Sequence, residues 1–173
     1  MWPSPTLGAT LIRPRSTGSI TLRSADPLAA PAITANYLAE EADLRVLTAG
    51  VELARELAAA RAFDPFRGAE TSPGAEVRGA AAIERFLRGS LETLYHPTGT
   101  CRMGGDELAV VDPALTVRGL DGLRVVDASV MPETIGGNTN APTIMIAERA
   151  VDLIRGPGAP GGDAPTVAGL ARR

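Results

Sequence analysis

The chain has 173 residues and 17.9 kDa, enough for one domain with a buried core. Apolar residues make up 45% and charged residues 21%, and mean hydropathy is +0.07, values of an ordered globular protein rather than a disordered one. All 17 basic residues are arginines against 20 acids, a net charge of -3 that excludes the cationic footprint of a nucleic-acid binder.

Cys101 is the only cysteine, so no intrachain disulfide can form, and no Cys/His set has metal-ligand spacing. The amino terminus lacks a basic segment followed by an apolar stretch, and no apolar run reaches the ~18 residues of a membrane span. The expectation is a soluble, cytoplasmic chain with neither a membrane nor a nucleic-acid partner.

In chain order, Leu7 to Ile12 and Ser19 to Ser24 read as two antiparallel strands joined by a loop through Arg13-Pro14 and Gly18. From Ala39 to Ala60 apolar residues recur at Leu44, Leu47, Val51, Ala54 and Leu57, a helical stripe. Acids lie early and arginines late along it, as the helix dipole favours. Phe63 to Gly79, with its prolines and glycines, reads as a loop. Ala80 to Arg88 predicts a short helix ended by Gly89. Leu115 to Val117 and Leu123 to Val126 read as buried strands around a Gly119 to Gly122 turn. Ala141 to Arg155 is a helix apolar almost all round, which calls for burial on several sides. The stretch from Gly156 to Arg173 is rich in Gly, Pro and Ala and reads as a disordered tail.

Five features carry candidate chemistry. Gly156 to Gly161 matches G-x-G-x-x-G, but it follows a helix and contains two prolines, so it reads as a linker and not as a nucleotide fingerprint. His96, the only histidine, lies in a loop dense in Gly and Thr and is the side chain best suited to take a proton near neutral pH. A hydrogen-bonded structural histidine is the alternative. Cys101 in the same loop reads as a structural thiol rather than a nucleophile, because no orienting third group accompanies it. Gly136-Gly137-Asn138-Thr139-Asn140-Ala141-Pro142-Thr143 reads as a well-capped helix start, or as a cleared path to a positive helix end that favours an anionic ligand. Asp127 and Ala128 end a strand where a ligand could sit.

The order His96-Pro97-x-Gly99-Thr100-Cys101-Arg102-Met103-Gly104, then Val111-Asp112-Pro113, then Gly122 to Ser129, Met131-Pro132, and Gly137 to Thr143 resembles the carboxyl-terminal region of the glucose-methanol-choline (GMC) family of FAD-dependent oxidoreductases. Leu11 to Gly18 and Arg23 to Pro27 resemble the start of that region, so the likeness spans residues 7–155. It implies an enzyme that oxidises an alcohol by passing hydride to flavin N5 while a base takes the hydroxyl proton. By the same resemblance His96 is the base and Asn140 holds the substrate oxygen. Asp127 and Ala128 contact FAD, and the amides of Ala141 to Thr143 face the flavin pyrimidine.

The implied fold is α+β, partly α/β: an antiparallel hairpin plus helices, with a strand and a helix that return to the FAD-binding domain. Residues 1–92 belong to the substrate domain, 93–155 to the catalytic loop and that return, and 156–173 to the tail. Such enzymes begin with a dinucleotide-binding βαβ unit, which this chain lacks, so the sequence is expected to be roughly the last third of a larger enzyme. Its partners would be a small alcohol and the missing FAD-binding region or chain. The competing expectations are a non-catalytic subunit that docks to a separate FAD-binding chain, and a relative with hydroxynitrile lyase chemistry.

Overall fold

The computed structural model describes residues 6–156. It forms two compact units: residues up to Tyr95 with Ile135–Gly137, and His96–Thr134 with the chain from Asn138 on. Three α-helices and one two-stranded antiparallel sheet make an α+β fold among the described residues.

The first unit is built on two helices, α1 (Glu41–Ala58) and α2 (Ala80–Ser90), which pack on each other. The apolar stripe read from the sequence supplies the contact. Leu44 and Leu47 of α1 meet Ile83 and Leu87 of α2 and Leu38 in a buried cluster, with Leu11, Val51, Val77, Phe86 and Leu91 packed around it. The predicted limits of α1 hold to within two residues at each end. Gly89, expected to end α2, lies inside it, because the buried Leu87 and the bond from Ser90 Oγ to the Phe86 carbonyl (2.7 Å) carry the last turn past it.

The amino-terminal strand pairing differs from expectation. Ser19–Thr21 does form a strand, β1, but it pairs with β2 (Ala32–Thr34) in the register Ser19↔Thr34 and Thr21↔Ala32. Leu7 to Ile12 is not a strand. Leu11 joins the helical cluster instead, and Ala9 lies so close to α1 that a Cβ on Gly50 would sit 2.7 Å from the Ala9 Cβ. The segment between is tied down by Asp43 in the first turn of α1. Its carboxylate accepts from Arg15 N (2.9 Å), Ser16 N (2.8 Å) and Ser16 Oγ (2.6 Å) while only 2% exposed.

The second unit holds α3 (Asn140–Arg155) and a set of turns. The strands expected at 115–117 and 123–126 are single bridges only, Thr116↔Arg124 and Val111↔Val117, closed by Val117 N to Leu123 O (2.9 Å) and Val125 N to Leu115 O (3.1 Å). The Arg124 guanidinium takes over some of the tie, donating to the Ala114 carbonyl and to Thr116 Oγ1. Several sides of α3 are exposed among the described residues, as expected of a helix whose apolar faces would pack on the FAD-binding region. Ile146 and Ala150 are buried, but Ile144 is 54%, Met145 59% and Ile154 63% exposed. The glycine-rich match at 156–161 and the tail lie outside the described residues, apart from Gly156, which ends α3 at φ 79°.

Candidate active site

All six sequence-predicted site residues fall in the second unit. The loop that carries His96 is stitched to the short 3-10 turn Ala128–Val130. Cys101 N donates to the Ser129 carbonyl (3.0 Å) and Met103 N to the Val130 carbonyl (2.8 Å). Gly99 makes the bend at φ 88°, a conformation that L side chains rarely adopt, and a Cβ there would face the Met131 carbonyl at 3.6 Å. Thr98 and Thr134 share a hydroxyl hydrogen bond of 3.1 Å, a second brace on the same loop. Arg102 closes the loop's far side by donating to Asp106 (2.8 Å), and that guanidinium holds the Asp106 carboxyl well below the usual carboxylate range.

His96 is half-buried, and its Nδ1 lies 3.0 Å from Thr139 Oγ1, 43 residues on. Cys101 is half-buried as well, and the ring nitrogen of His96 that is engaged turns to Thr139 rather than to this thiol. A single hydrogen bond therefore ties the proposed base to the start of α3.

The start of α3 departs from the sequence reading. Thr139, not Asn140, is the residue before the helix, and Asn140 is the first helical residue and exposed. The amides of the first turn are also unequal. Pro142 has no N–H, and Thr143 N is committed to the Thr139 carbonyl (3.0 Å), which accepts Thr143 Oγ1 too (2.6 Å). The N–H groups of Asn140 and Ala141 have no acceptor within the helix and remain its outward donors.

Asp127 is exposed at the head of the 3-10 turn, where Oδ1 accepts from Ser129 N (2.8 Å) and Ser129 Oγ. Ala128, the next residue, opens that turn, which packs against α3. The donor set suits the ring end of a flavin: two outward amides at a positive helix end for the pyrimidine acceptors, and a carboxylate for a hydroxyl. Among the described residues nothing cradles a pyrophosphate with a glycine-rich turn, and no group of three or more His, Cys, Asp and Glu is placed to hold a metal. No helix among them is long and apolar enough to cross a membrane.

The residue that the sequence reading missed is Thr139. Between two asparagines at a helix start it reads as part of a cap, and only the fold brings it to His96.

Known proteins bear on this geometry. The family model described as GMC oxidoreductase, in its carboxyl-terminal part, matches residues 14–147. An oxygen-dependent choline dehydrogenase of Paraburkholderia phymatum is 51% identical over 145 residues, which are 84% of this chain and 25% of that protein. One from Klebsiella pneumoniae is 49% identical over 84% of this chain and 26% of its own length. Among solved structures, pyridoxine 4-oxidase from Mesorbium loti superimposes with a TM-score of 0.76 at 34% identity, over 80% of this chain and 27% of that one. A formate oxidase variant from Aspergillus oryzae, studied for FAD modification, gives 0.79 at 31% identity over 84% and 26%. The chain thus spans about a quarter of the length of the relatives it matches. On the family match and these identities, the chain belongs to the GMC oxidoreductase family.

Proposed function

We propose that this chain is the substrate-side, carboxyl-terminal part of an FAD-dependent oxidoreductase acting on CH–OH donors, with His96 as the base. The observation that carries the reading is the tie between His96 and the start of α3. It holds the imidazole of His96 beside the start of that helix within one compact unit, which supports a role for the ring in proton transfer there. A bound flavin would supply the hydride acceptor at N5. The chain's own part is the proton: the O–H bond of the alcohol breaks, Nε2 of His96 takes the hydrogen, and the carbon that gives up hydride becomes a carbonyl.

Asn140 is the side chain proposed to hold the alcohol oxygen. Ala141 N–H and the Thr143 segment border the flavin ring, while Asp127 and Ala128 meet the cofactor at the 3-10 turn. Residues 1–92 then serve the substrate side and 93–155 the reacting side. The alcohol itself is the finer question, and choline is the first to try, since relatives at about 50% identity carry that name.

A chimera tests this reading: the chain replaces the matching quarter of the Paraburkholderia phymatum relative, and the purified protein is examined for flavin absorbance and for alcohol-driven bleaching. The expected result is a yellow protein bleached by substrate, with the chain alone colourless. A stably flavinylated chain on its own, or a chimera that binds flavin but is never reduced by any alcohol, contradicts it.

A further inference from the structure

We propose that Thr139 is the positioning residue of His96: its hydroxyl receives the hydrogen of Nδ1 and so leaves Nε2 as the nitrogen that takes the substrate proton. The proposal rests on the reading of His96 as the base. A threonine just before a helix ordinarily turns its hydroxyl to the amides of the first turn. Thr139 does not. Its backbone is at φ -82° and ψ -8°, a helical and not an extended conformation, and its side chain makes no capping bond. The hydroxyl goes to the imidazole at 3.0 Å instead.

The group is also well held. Thr139 is 8% exposed, and its carbonyl accepts from both Thr143 N (3.0 Å) and Thr143 Oγ1 (2.6 Å), so the residue is fixed on its helix side as well. On the other side, His96 precedes Pro97, whose ring restricts the histidine backbone to extended conformations. The hydrogen bond at Nδ1 then limits rotation of the imidazole about its side-chain bonds.

The tautomer follows from the chemistry. In a neutral imidazole the nitrogen that carries the hydrogen is set by the bond the other makes. If Thr139 donated to Nδ1, the hydrogen would sit on Nε2, and that nitrogen could accept nothing. If Nδ1 donates to Oγ1, Nε2 keeps its lone pair. After Nε2 is protonated both nitrogens are donors, so the same Nδ1–H bond to Oγ1 serves before and after proton transfer without rotation of the hydroxyl. Valine at this position keeps the shape and removes the acceptor, while serine keeps the hydroxyl.

Because His96 is the only histidine, NMR of the imidazole nitrogens of the 173-residue chain at alkaline pH reads this directly. The expected result is hydrogen on Nδ1 in the wild type and in Thr139→Ser, with Thr139→Val shifted towards hydrogen on Nε2. Hydrogen on Nε2 in the wild type, or an unchanged tautomer in Thr139→Val, overturns the assignment. In the chimera, Thr139→Val should lower kcat roughly fivefold to tenfold, the worth of one neutral hydrogen bond, with KM little changed and with activity restored by serine. An equal loss in the valine and serine variants overturns it too. Full turnover in His96→Ala would remove the base itself, and with it the purpose of Thr139, whereas the wrong tautomer in an active wild type overturns the Thr139 assignment alone.

Discussion

Asp43 is a carboxylate taken almost wholly out of water, which by itself pushes its pKa up. The Ser16 hydroxyl and the amides of Arg15 and Ser16 outweigh that penalty, and the net shift is downward. A carboxyl with a lower pKa folded than unfolded stabilises the fold fully above the unfolded value. That contribution disappears as pH falls through the folded value. Asp43→Asn should therefore cost about 2 kcal/mol near neutral pH, the scale of hydrogen bonds to a charged group. It should also flatten the loss of stability between neutral pH and about pH 3, the region where carboxylates titrate. Urea unfolding at a series of pH values checks both. An identical pH dependence in the two proteins would show that the lowered pKa of Asp43 is not what holds the Arg13–Gly18 segment down.

The elements differ in how far they could be read ahead of the structure. α1 and α3 were legible because a period near 3.6 and the placement of charges carry over many residues. The β1 partner was not, since Ala32–Thr34 is three residues long, follows Pro31 and has no period to detect. The two segments approach closely beside the pairing: a Cβ on Gly18 would lie 2.2 Å from the Thr34 carbonyl and 2.8 Å from that of Ala35. These are backbone atoms that cannot swing aside, so Gly18→Ala should cost at least 1–3 kcal/mol, the scale of overpacking, in a denaturant titration. A stability equal to wild type would mean that β1 and β2 can separate at no cost. In the candidate site, His96 and the segment 138–143 stood out as motifs. Their connection did not, because it spans 43 residues and runs through a hydroxyl that reads as an ordinary cap. Asn138 and Asn140 flank that threonine, so alanine variants of each belong in the same assay. Asn140→Ala should slow flavin reduction the more, and the reverse order would move the oxygen-holding role to Asn138.

At the scale of the whole molecule, a chain that matches a quarter of its relatives leaves much apolar surface uncovered among the described residues. Leu22 is 89% and Leu28 92% exposed, and Ile144, Met145 and Ile154 line α3 in the open. Patches of this kind promote association in water. The chain alone should therefore self-associate in sedimentation experiments, and the double change Met145→Glu with Ile154→Glu should reduce it, while a monomer at all concentrations would contradict this. The central claim, that one imidazole moves the substrate proton, is tested most directly by the rate of flavin reduction by alcohol under anaerobic conditions in the chimera, with and without His96→Ala. The account predicts a rate lower by about two to four orders of magnitude, the worth of a general base, with flavin content unchanged. Equal rates in the two proteins would contradict it.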